Sequence, residues 1–156
     1  MHPYPGDGAL SISQLQREAA RRGLDVIAVT AHNNRVALDV GRRLPEGGAV
    51  VVIPGQEITA PLYHLVALGT TRLIDWRLPL REALAAVHAQ RGAAIAAHPV
   101  ESSWLDPDLD ALRLLDGAEV AHPGRRPLPQ GRDEYLEFYR QARDVNPDVA
   151  PIGSSD

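Results

Sequence analysis

Apolar residues fall in short blocks along the chain, and the blocks alternate between two periodicities. Ile12, Leu15 and Ala19 recur at helical spacing, with Ser11 before them and Gln14 three residues further on in the form of a capping box. This predicts a helix over about residues 12–22, closed by Gly23. Val26 to Val29 is a compact block rich in β-branched residues, as expected of a strand buried on both faces of a parallel sheet. Val50 to Ile53, Leu65 to Leu68 and Ala94 to Ala97 repeat that pattern, and Leu80, Ala83, Leu84 and Val87 stand between them at helical positions i, i+3, i+4 and i+7. Further on, Ala111 to Leu115 predicts a short helix, Ala118 to Val120 a strand, Tyr135, Phe138, Tyr139 and Ala142 a helical face, and Ala150 to Ile152 a last strand. Strand and helix alternate, which predicts an α/β fold with a mainly parallel sheet, either open or closed into a barrel. The Pro-, Gly- and Arg-rich stretch from His122 to Arg132 reads as a long surface loop inside one domain.

Polar residues sharpen the picture, because ligand-type side chains follow the apolar blocks. Val26 to Val29 leads to Thr30, Ala31 and His32; Val50 to Ile53 leads to Gly55, Gln56 and Glu57; Ala94 to Ala97 leads to His98 and Pro99. In parallel α/β folds the carboxyl ends of the strands share one rim, so residues far apart in sequence meet there. His64 begins the Leu65 block and joins that rim if its strand doubles back as a hairpin on the strand carrying Glu57. His88 lies inside the helical block and is assigned to packing or solvent.

Composition limits the chemistry. With 156 residues and 44% hydrophobic content the chain has the size and apolar content of one globular domain. It has no cysteine, so a metal would be held by nitrogen and oxygen donors, a set suited to manganese, iron or zinc. A carboxylate such as Glu57 can bridge two ions about 3.5 to 4 Å apart. The net charge is −4 and the 16 basic residues are all arginine, which argues against tracking extended duplex nucleic acid and leaves a small phosphorylated substrate open. The longest aliphatic run, Ala49 to Ile53, is too short to cross a bilayer, so no membrane partner is expected, and a cytoplasmic location fits the lack of cysteine.

In order along the chain, these residues resemble the PHP (polymerase and histidinol phosphatase) family. His2-Pro-Tyr-Pro-Gly-Asp7-Gly8 is similar to the family's His-x-His and following Asp-Gly, with the first histidine falling before Met1. Thr30-Ala31-His32-Asn33 resembles Thr-Asp-His-Asn, Gly55 to Thr59 resembles Gly-x-Glu-Ile-Thr, and His64 matches a downstream histidine. Ala97-His98-Pro99 resembles Ala-His-Pro, Asp116 to Val120 with Glu119 resembles the strand before the last segment, and Gly153 to Asp156 resembles Asp-x-His cut after its aspartate.

The resemblance implies a distorted seven-stranded β/α barrel, here lacking its first strand, in a single domain over 1–156 truncated at both ends. It implies two or three divalent ions at the carboxyl rim: His2 and Asp156 on the first, Glu57 bridging first and second, His64 and His98 on the second, Asp7 and His32 on a third. The implied activity is hydrolysis of a phosphoester by a metal-bound hydroxide, with no side-chain nucleophile, on a nucleotide, short oligonucleotide or small phosphorylated metabolite. The competing reading is a non-catalytic PHP module with a structural or interaction role, which Ala31 in place of the family's aspartate favours. Asn33, Arg35, His122, Arg125 and Arg126 are candidate substrate contacts, the arginines because a guanidinium fork suits phosphate oxygens. A missing strand would leave an open sheet edge, so lowered stability or aggregation is expected.

Overall fold

The computed structural model describes residues 1–4, 6–34, 36–41, 50–100, 104, 108–123 and 133–155, without the side chains of 40 and 41. Its elements run α1 (Ile12–Arg21), β1 (Val26–His32), α2 (Val36–Gly41), β2 (Val51–Ala60), β3 (Tyr63–Leu68), α3 (Leu80–His88), β4 (Ala93–Ala96), α4 (Leu109–Leu112), β5 (Gly117–Ala121), α5 (Glu134–Val145) and β6 (Ala150–Gly153). The capping box at the start of α1 is present: Ser11 Oγ accepts from Gln14 N–H and Ser11 N–H donates to Gln14 Oε1. One helix was not foreseen. α2 begins where Asn34 Oδ1 accepts the Val36 N–H at 2.9 Å, and the β-branched residues of that stretch masked the signal.

The six strands form one sheet in chain order. β1–β2, β4–β5 and β5–β6 pair in parallel, whereas β3 is antiparallel to both β2 and β4, so the expected β2–β3 hairpin is present. A cavity of about 220 Å³ is lined from every strand, by Thr30 of β1, Glu57 of β2, Val66 of β3, Ile95 of β4, Glu119 of β5 and Ile152 of β6. The sheet therefore curls around its own inner face as part of a barrel. Among the described residues this part-barrel has six strands; the full seven-stranded barrel, of which the sequence suggests the first strand is lacking here, is not seen. Among the described residues no strand lies outside β1, where the Thr30 N–H instead donates to the Met1 carbonyl at 2.9 Å.

The outer face is apolar and covered by helices. Ile12 and Ala19 of α1 and Ala37 of α2 pack with Ile27 and Val29 of β1, while Leu84, Val87, Leu112, Phe138 and Ala142 of α3, α4 and α5 pack with Leu65, Ala67 and Ala94. Each fully buried leucine of this layer, such as Leu84, contributes about 1.5–3 kcal/mol through burial alone. α4 starts two residues earlier than the apolar block suggested, because Asp108 accepts the Asp110 N–H and caps it.

Strand lengths also differ from the sequence reading. β1 continues through His32 and β2 through Ala60, so His32 and Glu57 lie within strands and not after them. Pro54-Gly55 looks like a strand end in sequence, yet Gly55 is there because β3 passes so close that a Cβ would stand 2.7 Å from the Ala67 carbonyl oxygen. Of the stretch expected to be a surface loop, only His122 and Pro123 lie within the described residues.

Candidate metal centre

Alternation along β2 and β3 decides which side chains face inward. Ile58 and its partner Leu65 are fully buried in the outer core, so Glu57, Thr59 and His64 point to the inner face. The register places His32 beside Glu57 across β1–β2, and His64 beside Thr59 across β2–β3. The Ala97 N–H donates to the His64 carbonyl at 3.0 Å, which extends the β3–β4 pairing up to His98. The chain then turns away at His98, with φ of +28°, and His98 is held by its own N–H donating to Glu119 Oε2 at 2.7 Å.

Glu57, only 1% exposed, is the centre of the cluster. Its Oε2 lies 3.0 Å from His2 Nε2; its Oε1 lies 2.9 Å from His64 Nδ1, 3.1 Å from His98 Nε2 and 3.6 Å from His32 Nδ1. The rings of His2 and His32 stack at 4.3 Å. Asp7, more exposed, places Oδ2 3.0 Å from His32 Nε2 and Oδ1 3.8 Å from His2 Nδ1. Burial by itself would raise the pKa of Glu57, but hydrogen bonds with His2, His64 and His98 and the nearby His32 outweigh it and hold the carboxyl well below the usual range. The same hydrogen bond with Glu57 pushes His2 up against the opposing effect of burial, with the charges of Glu57 and Asp7 adding to it.

The donors fit a cation. Two groups, His2–His32–Glu57 and Glu57–His64–His98, each bring three ligand atoms within 4.8 Å of one another, and Glu57 belongs to both. In the second group Nδ1 of His64, Nε2 of His98 and Oε1 of Glu57 form a triangle with sides of 2.9, 3.1 and 3.3 Å. Donors about 2.0–2.2 Å from one ion stand roughly 2.8–3.6 Å apart at octahedral or tetrahedral angles. Two imidazole nitrogens facing each other and one carboxylate oxygen are a poor hydrogen-bonded arrangement for neutral rings, and a natural one around a positive ion.

The structure thus brings together His2, Asp7, His32, Glu57, His64 and His98. Asp156, Arg35, Arg125 and Arg126 lie outside the described residues. Asn33 sits at the edge of the cluster with φ of +46°, and both ends of its amide are engaged by the Thr59 backbone, its Nδ2 donating to Thr59 O at 2.8 Å and its Oδ1 accepting from Thr59 N at 2.9 Å. That geometry makes it a clasp between β1 and β2. His122 follows β5, its ring 5.2 Å from that of His98 and stacked 6.1 Å from Tyr135. Ala31, 2% exposed, points to the face opposite Thr30 and His32. His88 is remote and pairs with Asp116 at 3.0 Å.

Two further residues touch the cluster. Thr59 Oγ1 lies 2.6 Å from His32 Nδ1 and so orients that ring. Its signal in sequence was its place two residues after Glu57, on the same strand face. In sequence Glu119 stands out only as part of a strand motif, its signal being an acid between Ala118 and Val120 in a strand. A cavity of about 430 Å³ opens beside His2 and Asp7, bordered also by Gly8, Leu10, Pro123 and Ser155. A larger groove of about 550 Å³, between Leu62, Tyr63, Trp76 and Trp104, holds none of these donors.

No protein-family model matches this sequence, and no curated protein matches it. Solved structures do share its fold. A two-domain protein of Bacteroides vulgatus containing a predicted PHP-like metal-dependent phosphoesterase superposes with a TM-score of 0.71 at 21% identity, over 100% of this chain and 50% of that one. A protein of Bifidobacterium adolescentis assigned as a metal-dependent phosphoesterase gives 0.73 at 18% identity, over 99% and 85%. An amidohydrolase of Chromobacterium violaceum, with bound sulfate and no metal, gives 0.65 at 16% identity, over 99% and 84%. The chain has the fold of these PHP-like phosphoesterase and amidohydrolase structures, and it spans half the length of the Bacteroides vulgatus protein.

Proposed function

We propose that this protein is a PHP-type, divalent-metal-dependent hydrolase of a phosphoester: a nucleotide, a short oligonucleotide or a small phosphorylated metabolite. The observation that carries the reading is one buried carboxylate, Glu57, shared by two histidine groups with metal-ligand spacing. In this reading Glu57, which belongs to both groups, would hold one ion together with His64 and His98 and another together with His2 and His32. Asp7, against His32, is the donor available to a third ion, and Asp156 adds to the His2 group. Manganese, iron or zinc bound there supplies an acidified water and neutralises charge on phosphoryl oxygens. The chain's own residues hold and orient. Thr59 fixes the His32 ring, Asn33 closes the strand ends beneath it, and Glu57 keeps its negative charge through its histidine contacts. His122, beside His98, and the arginines at 35, 125 and 126 are proposed contacts for the substrate phosphate.

That likeness of fold to metal-dependent phosphoesterase structures supports the reaction class. Among the described residues no helix is long and apolar enough to cross a membrane. The test is to strip and reload the purified chain with manganese, iron or zinc, count ions by plasma mass spectrometry, and assay phosphomonoesters and phosphodiesters. Two or three ions per chain and turnover lost in folded Glu57→Gln and His98→Ala chains are expected. Folded protein that takes up no metal, or full activity in either variant, refutes the proposal.

A further inference from the structure

β4 ends at Ala96, and the Ala97 N–H still pairs with β3 through the His64 carbonyl. One residue later the chain changes partner. The His98 N–H crosses to β5 and donates to the Glu119 carboxylate at 2.7 Å, the length of a charge-assisted bond. The β4–β5 register, Ala96 opposite Ala118, sets Glu119 one position beyond the last paired residue, within reach of this N–H.

His98 needs such a hold. Its φ of +28° lies in a region that side-chain-bearing residues rarely occupy. Pro99, which is fully buried, follows it and biases His98 toward extended backbone. Local preference thus opposes the observed turn, and the surroundings must impose it. Glu119 is itself costly where it stands: 5% exposed, on the inner wall, between buried Ala118 and its strand partner Ile152. An aliphatic residue would serve that strand position as well for packing.

We infer that Glu119 is a positioning residue, which fixes the His98 backbone so that its imidazole meets Glu57 and His64, and thereby sets the affinity of that group for a divalent cation. The inference rests on the metal-centre reading, and the experiment separates the two. In the metal-free chain, the His98 amide proton is followed by nuclear magnetic resonance in wild type and Glu119→Gln. In a second measurement the full chain is titrated with cobalt(II), the step missing in His64→Ala marking the group concerned.

Glu119→Gln keeps an acceptor but loses its charge, so the His98 amide proton moves upfield and cobalt binds that step a few-fold more weakly. Glu119→Ala speeds exchange of that amide and weakens the same step by about 10- to 100-fold, as for other groups that orient a ligand, while leaving the His2 step within a few-fold of wild type. A merely structural role would lower both steps together and would not be restored by glutamine. An unmoved His98 amide in Glu119→Gln, or a wild-type cobalt step in Glu119→Ala, overturns the inference. If wild type binds no cobalt, the metal reading fails, and the affinity half of the inference fails with it; the amide shift then decides the positioning half alone. Should Glu119→Ala not fold, the amide shift and cobalt step of Glu119→Gln decide in its place.

Discussion

Replacing Glu57 with glutamine keeps the shape of the side chain and removes its charge, and the geometry sets the cost. One carboxylate oxygen serves His2 and the other serves His64 and His98. Glutamine has a single acceptor oxygen, so either His2 or the His64–His98 pair is left facing an NH2 group. A hydrogen bond to a charged acceptor contributes about 1.5–3 kcal/mol, and one or two are lost. The metal-free variant should therefore be about 3 kcal/mol less stable, which for a chain of this size lowers Tm by roughly 10 °C. The metal-loaded comparison is sharper. An ion present at a thousandfold its Kd stabilises the wild type by about 4 kcal/mol, or roughly 8–16 °C. Glu57 belongs to both donor groups, so the variant should gain almost none of this. Scanning calorimetry of both proteins, with chelator and with manganese or zinc, measures the two effects together. A variant with the wild-type metal shift, or a chelated variant melting within about 1 °C of wild type, would refute the reasoning.

Further expectations concern single sites. His64→Ala and His2→Ala should each lose a different ion and keep the other, so metal counting that finds both variants fully loaded would dissolve the proposed grouping. Burial, helped by the charge of Asp75, pushes the Tyr63 hydroxyl up to about 12, and this hydroxyl donates to the Leu78 carbonyl at 2.6 Å. A folded pKa above the unfolded value means that its stabilisation is complete below about pH 10 and is lost as pH rises through 12. Wild type should then lose about 2 kcal/mol more than Tyr63→Phe between those pH values in denaturant titrations, and parallel pH profiles would contradict this. Ser11→Ala, which removes one half of the α1 capping box, should cost about 1 kcal/mol by the same measurement; no change would mean that the cap contributes nothing.

Much of the frame was legible because burial leaves a periodic trace. The buried outer faces of β1, β3 and β4 and the apolar stripes of α1, α3 and α5 are visible as blocks in the chain. What stayed hidden depends on contacts between distant segments. Pro54 and Gly55 looked like a strand end, since nothing local announces that β3 will press against Gly55 and need its missing side chain. Convergence of His32, Glu57 and His98 followed from the shared rim of a parallel sheet, and His64 from a hairpin. The partition of these donors did not follow. His32, grouped by resemblance with Asp7, stacks on His2 and stands near Glu57 as well. Nor could spacing reveal that Asn33 would clasp a backbone, because that depends on its positive φ and on Thr59 lying across from it.

The antiparallel course of β3 also bears on the order in which the centre can assemble. Glu57 and His64 are seven residues apart in sequence and meet as soon as the turn at Pro61 and Leu62 closes. Bringing His2 to Glu57 means closing the whole chain from residue 2 to residue 57, roughly three doublings of loop length at about 0.6 kcal/mol each. A hairpin forms in microseconds, whereas that longer closure waits for β1 and α1 to dock. In the proposed reading, an ion met during folding would find two of the three donors of the His64 group already built, whereas a filled His2 group would signal that β1 has docked on β2.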